Sequence, residues 1–306
     1  MQPNKKIIAI LIITIFYLLG LSPIINAQID INNIIKQKSN IDPIIANELF
    51  EKNYFNSKIR NDGKEYWALL MAINDYPGSN DLPYSINEIL SFKTTLLNGG
   101  NWLESNIKVI TDDEVNITGI DNAINWLSMN ADEDDITIIY YAGHGGQSST
   151  NEYINVINGS ISDIELNDKL ESIPGKTIVI IDACHSGGFI QELKQRNRII
   201  LTACRKDNLT YQYTKFKSGI FGYFLNLSLN KYTKNIETAF IITFFASVYY
   251  TNKLSDEYDE DYTIYPQMYD GTLLITKIID KHLFRATFIM ELLSLKTNNK
   301  LNIWRM

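Results

Sequence analysis

Between Trp67 and Ile278 the chain alternates unbroken apolar runs with segments whose apolar residues recur every three or four positions. WALLMAI, Trp67 to Ile73, has no polar interruption and stops at Asn-Asp-Tyr-Pro-Gly. That pattern predicts a strand buried on both faces, followed by a turn. Ser85 to Leu97 places Ile86, Ile89, Leu90, Phe92, Leu96 and Leu97 largely at helical spacing, and Asn98-Gly99-Gly100 stops it. Further strands are predicted at Ile107 to Thr111, Ile136 to Tyr141, Thr177 to Ile181 and Arg198 to Thr202, with strand composition again at Leu273 to Ile278. Helices are predicted from near Thr118, where Thr118 and Asp121 resemble a capping pair, and from the Ser162/Glu165 capping box to about Ser172. Two more follow, near Ser218 to Leu229 and from Asn235 onward.

Strands separated by helices need crossover connections, so the fold class is α/β, with a mostly parallel sheet covered by helices on both faces. In such sheets the ligand crevice forms from loops leaving the carboxyl ends of strands. Two glycine-rich loops leave at that kind of end: YYAGHGG, Tyr140 to Gly146, and DACHSGG, Asp182 to Gly188. If their strands are neighbours, His144 and Cys184 come together.

Composition narrows the chemistry. The chain has 306 residues, 45% hydrophobic and 21% charged, enough for a full core, and carries a formal charge of -7. An acidic surface argues against nucleic acid as a partner. Lys5 and Lys6, the apolar stretch Ile7 to Leu21, the break at Ser22-Pro23 and the small residue Ala27 have the form of a secretory signal, which predicts a secreted or extracytoplasmic protein. The alternative is an uncleaved membrane anchor, since Ile7 to Ala27 approaches the roughly 20 residues needed to span. AFIITFFASVYY, Ala239 to Tyr250, is too short to span and reads as a buried helix. SDEYDED, Ser255 to Asp261, reads as a solvated loop rather than a calcium cage.

With 2 cysteines and 3 histidines there is no disulfide framework and no metal-knuckle spacing, so no metal site is assigned. What remains is Cys184 with His144. A thiol becomes nucleophilic as the thiolate, and a nearby imidazole can take its proton. Gly143, Gly145 and Gly146 admit unusual backbone angles and the close approach of a substrate chain. The amides of Gly145 and Cys184 are candidates to hold an oxyanion. The competing reading makes Cys184 a small buried hydrophobe and His144 a loop residue. Cys204 reads as a buried thiol or as the partner of Cys184 in a redox lock. His185 and His282 are assigned no role.

These motifs resemble those of the caspase and haemoglobinase superfamily of cysteine peptidases, which includes caspases, metacaspases, legumains and clostripain-like enzymes. YYAGHGG is similar to the family's histidine motif, and DACHSGG to the cysteine motif of metacaspases. WALLMAINDY resembles the first strand, and DLPYSINEIL the stretch after it, where metacaspases carry an Asn-Asp pair. RIILTAC, SGIFGYFLNLSL and YPQMYDGTLLIT resemble the small-subunit part of bacterial and archaeal members. The likeness covers about residues 64–278. It divides the chain into a signal peptide (1–27), an N-terminal extension (28–63), a peptidase domain (64–278) and a tail (279–306).

The resemblance implies a caspase-like α/β/α sandwich with a mostly parallel six-stranded sheet. It implies Cys184 as nucleophile, His144 as the group that protonates the leaving amine, and an oxyanion hole from the Gly145 and Cys184 amides. In metacaspases the position of Asp182 lines the pocket for the residue before the scissile bond, which implies selection of Arg or Lys. Glu88 and Ala142 join that pocket, although Ala142 stands where metacaspases often have Ser, and Asn87-Glu88 where they have Asn-Asp. Beside Asp163, Ile164 replaces a second Asp of the calcium-activated members, so no cofactor is assigned and calcium activation has thin support. The expectation is an endopeptidase acting on protein or peptide substrates through a thioester. Legumain-like cleavage after Asn, transpeptidation and an inactive binding module are the alternatives.

Overall fold

The apolar runs form the centre of the sheet they predict. The computed structural model describes residues 63–78, 80–272, 275–279 and 303–306. The expected signal peptide, nearly all of the 28–63 extension and most of the 279–306 tail lie outside the described residues. Strands in chain order are β1 (Tyr66–Ala72), β2 (Ile107–Thr111), β3 (Ile136–Ala142), β4 (Gly145–Gln147), β5 (Glu152–Val156), β6 (Gly159–Ser162), β7 (Lys176–Asp182), β8 (Arg198–Thr202), β9 (Tyr211–Tyr213), β10 (Ser218–Gly219), β11 (Gln267–Asp270) and β12 (Ile303–Arg305). The helices are α1 (Ser85–Asn98), α2 (Ile117–Asn130), α3 (Asp163–Leu170), α4 (Phe189–Leu193), α5 (Ile220–Lys231) and α6 (Ile236–Tyr258).

The main sheet has six strands in the order β11-β8-β7-β3-β1-β2. Every neighbouring pair is parallel except β11 with β8. All residues of β3 and of β8 are buried, so helices cover both faces of the sheet. α5 packs against both α1 and α6, and α3 packs against both α2 and α4 in a second group. Tyr140 in β3 meets Phe92 of α1 edge-on at 5.1 Å, while Trp67 in β1 meets Trp126 of α2 at 5.4 Å. Each fully buried Ile, Leu or Phe here contributes about 1.5–3 kcal/mol by leaving water.

Two small three-stranded sheets, β4-β5-β6 and β10-β9-β12, flank this core. Neither was foreseen, because their strands are too short to show an apolar period. Other expectations are corrected at element ends. The cap of α2 is Asn116, whose side chain accepts from Gly119 N at 2.9 Å, not the Thr118/Asp121 pair. Ser162 and Glu165 do form the capping box of α3. Ser218 and Gly219 are extended, and α5 begins at Ile220. The acidic SDEYDED segment is not simply a loop: α6 continues through Tyr258 before Asp259, in the left-handed region at φ 53°, ends it. The edge strand is Gln267–Asp270, whose pairing with β8 stops at Asp270; of the expected Leu273 to Ile278 strand, residues 273–274 lie outside the described residues and Lys277 forms an isolated antiparallel bridge to Asn235. Among the described residues no helix is long and apolar enough to cross a membrane.

Candidate active site

β3 and β7 pair in parallel register to their last residues, Ala142 opposite Asp182. His144 and Cys184 each lie two residues beyond that pair, so one sheet rim receives both. The chain after Cys184 turns sharply. His185 adopts φ 61°, Ser186 N donates to Ala183 O at 3.3 Å, and Gly188 N donates to His185 O at 3.1 Å. A left-handed non-glycine residue beside the nucleophile is a backbone the surroundings must hold. Part of that hold comes from the 205–208 loop: His185 N donates to Asn208 O at 3.0 Å, and its Nδ1 meets Lys206 O at 2.8 Å. The His185 ring is therefore taken up by the 205–208 loop.

Gly145 must be glycine. A Cβ there would stand 2.5 Å from Cys184 O and 3.5 Å from Cys184 N. The histidine loop thus lies directly on the nucleophile's backbone, with the two candidate oxyanion amides in neighbouring residues.

Two tyrosines fix His144. Tyr76 OH accepts from His144 N at 2.7 Å, and Tyr141 OH donates to His144 O at 2.9 Å. The phenols meet at 3.1 Å, and the Tyr76 ring lies 4.5 Å from the imidazole. Burial pushes the Tyr76 phenol up to about 12, so it stays a neutral hydroxyl. Gly143 is required because a Cβ would strike both phenols at 2.5 Å. His144 Nε2 lies 2.7 Å from Asn80 O. A carbonyl only accepts, so Nε2 carries the proton and Nδ1 is the basic nitrogen of the neutral ring. Partial burial pushes the imidazole pKa down, against bonds to the Asn80 and Met306 backbone, and the Arg305 charge lowers it further.

Cys184 is 1% exposed. Its sulfur accepts from Thr210 N at 3.3 Å and lies 3.6 Å from Thr210 O. Burial pushes the thiol up; the Thr210 bond and a hydrogen bond and charge from Arg305 oppose that, and the Asp182 charge adds to it. Among the described residues no hydrogen bond joins imidazole to sulfur. Both instead touch one segment: Arg305 bonds the thiol, and the backbone of Met306 meets the His144 ring. Cys204 is also a free, buried thiol, held by Ser186 and the carbonyls of Ala183 and Asn208.

Asp182 and Glu88 form a buried acid pair, 0% and 2% exposed. Glu88 accepts from Tyr140 OH at 2.8 Å, Ser218 Oγ at 3.0 Å and Gly219 N. Asp182 accepts from Gly222 N at 3.0 Å and Thr210 Oγ1 at 3.4 Å. Burial raises both carboxyls, and the Glu88 charge raises Asp182 further. The pair therefore gives up its protons at higher pH than free carboxyls do. Ala142, at the end of β3 beside Asp182, is fully buried.

A second acidic group lies beyond the cysteine. Glu152 in β5 is 2% exposed and pairs with Lys206 Nζ at 3.0 Å. A Cβ on Gly188 would strike the Glu152 side chain, so this pair sits against the end of DACHSGG. Asp163 is raised chiefly by burial, opposed by backbone bonds from Ile164 and Glu152, with the Glu152 and Glu192 charges adding. Tyr76 could have been found from the sequence, because NDYPG leaves β1 at the same rim. Asn80, Thr210 and Lys206 carry no local signal; only the three-dimensional path of their loops selects them.

A mostly parallel sheet that delivers a histidine loop and a cysteine loop from adjacent strands defines an α/β fold of the caspase kind. The sequence matches the Caspase domain family over residues 65–272, and the chain belongs to that family. It is 33% identical over 145 residues to Metacaspase-1 of Eremothecium gossypii, covering 40% of this chain and 32% of that protein. It is 28% identical over 148 residues to Metacaspase-4 of Arabidopsis thaliana, covering 42% and 35%. The match spans about a third of the length of these curated relatives. The fold is similar to the crystal structure of protein GSU0716 from Geobacter sulfurreducens, with a TM-score of 0.54 and 13% identity over 71% of this chain and 97% of that one.

Proposed function

We propose that the protein is an exported cysteine endopeptidase that cleaves after Arg or Lys. The observation that carries the reading is the register of β3 and β7, which brings His144 and Cys184 out at equal offsets on one rim. With the thiol raised and the imidazole lowered, the resting pair is neutral. His144 Nδ1 takes the thiol proton as sulfur attacks the peptide carbonyl. The carbonyl oxygen becomes an oxyanion between the amides of Gly145 and Cys184. The imidazolium gives its proton to the departing amine, the C–N bond breaks, and a thioester remains on Cys184. Water, deprotonated by His144, releases the acid and restores the thiol.

Basic specificity rests on Asp182 and Glu88. A guanidinium or ammonium entering beside them gives the pair a reason to ionise and gains charge-assisted hydrogen bonds. Export rests on the composition of residues 1–27.

An Arg-directed acyloxymethyl ketone should label wild-type protein at Cys184 and leave a Cys184→Ala variant unlabelled, read by peptide mass mapping. A folded wild-type protein that resists such ketones bearing Arg, Lys, Asn and Asp side chains alike would overturn the reading in favour of a binding module. A competing amine appearing in the products would convert it to transpeptidation.

A further inference from the structure

β9 pairs with β10 on one edge and with β12 on the other. The β12 pairing is antiparallel, with Ile303 opposite Tyr213, Trp304 opposite Gln212 and Arg305 opposite Tyr211. One residue on, Met306 N donates to Thr210 O at 3.1 Å, and Thr210 N donates to the Cys184 sulfur. Residues Ile303 to Met306 thus run along the segment that holds the thiol and end on the reacting groups. Arg305 hydrogen-bonds the sulfur, the Met306 backbone meets the imidazole, and Met306 is 1% exposed. Trp304 packs edge-on against Tyr84 at 5.4 Å, at the start of the helix that carries Glu88.

A peptide awaiting hydrolysis has these properties: an extended backbone added to a sheet edge, side chains taken by pockets, and a carbonyl brought to nucleophile and base. Building on the endopeptidase reading, we propose that Ile303–Met306 is an intramolecular occupant of the substrate groove, which closes Cys184 to peptides until it leaves. Its hold is limited, since β12 has three residues and pairs with β9 alone. Its chemistry is incomplete as well. Thr210 joins Met306 to the acid pair, accepting from Met306 N and donating its hydroxyl to Asp182, yet Met306 brings no cation. A peptide with Arg or Lys at that position makes the ion pair that Met306 cannot, so a basic substrate is the stronger competitor.

The test is the alkylation rate of Cys184 by iodoacetamide, read by peptide mass spectrometry so that Cys204 is counted separately. Three folded proteins are compared: the full chain, the chain without residues 303–306, and Met306→Asp, which would put an unpaired carboxylate where the side chain is 1% exposed. A tethered segment at millimolar effective concentration with a dissociation constant near 0.1 mM shields its site about ten-fold. Both variants should react about ten-fold faster than the full chain, and added Ile-Trp-Arg-Met peptide should slow the truncated one. Equal rates in all three overturn the proposal. Peptide hydrolysis is measured separately. Faster alkylation without cleavage of any peptide keeps the occupant and removes the endopeptidase reading, whereas cleavage with unchanged alkylation does the reverse.

Discussion

Two buried carboxylate sites flank the nucleophile loop, one against Asp182 at its start and one against Gly188 at its end. At the first, Asp182 and Glu88 are satisfied by neutral donors, the hydroxyls of Tyr140, Ser218 and Thr210 and the amides of Gly219 and Gly222. At the second, Glu152 has the ammonium of Lys206 at 3.0 Å. An acid neutralised by a cation of its own chain is a tie between loops, here β5 to the loop after β8. An acid pair surrounded by neutral donors holds its protons more tightly than free carboxyls do, and a cation from outside can take a proton's place. Position relative to the rim therefore says less about role than the charge of the partners does.

The largest effect should come from Asp182→Asn. Losing one side of a buried charge pair costs about 2–5 kcal/mol, so kcat/KM for peptides with Arg before the cleaved bond should fall by about 30- to 5,000-fold, while peptides with a neutral residue there change little. An equal loss on both peptide classes would break the comparison. Next comes Lys206→Met, which leaves the Glu152 carboxylate buried without compensation. Its melting temperature, followed by circular dichroism, should drop, with KM for basic peptides unchanged; a raised KM would make the second site part of substrate binding.

The smallest effect is on stability against pH. Both acids of the first site have folded-state pKa values above their unfolded ones. Their contribution is complete below the ordinary carboxylate pKa of about 4 and is lost as pH rises through the raised values. Glu88→Gln should therefore lose less stability than wild type as pH rises above about 4 in urea unfolding. Parallel curves would mean that the pair is already ionised in the folded protein.

What the sequence discloses follows from how far each signal extends along the chain. β1, β3, β7 and β8 are nearly continuous apolar runs because they are covered on both faces, and such runs need no partner to be recognised. Cys184, His144 and Gly145 were legible because they sit within a few residues of those runs. Asp182 and Glu88 were legible as single acids but not as a pair, since their contact joins α1 to β7 across the sheet. Thr210 lies in a loop of ordinary composition and matters only because its backbone reaches the sulfur. β12 was illegible for the same reason: three residues have no period, and their pairing with β9 bridges a long stretch of chain.

The register of Ala142 with Asp182 also constrains how this rim can be rebuilt. Successive residues of an extended strand point to opposite faces, so one residue inserted into β3 or β7 would break this register and carry His144 or Cys184 away from their equal offsets. Length at this edge is thus the strict quantity, and composition the adjustable one. Extra chain belongs instead in the exposed turn between β4 and β5, where Ser148 N closes onto Asn151 O at 2.7 Å and no reacting group depends on the count.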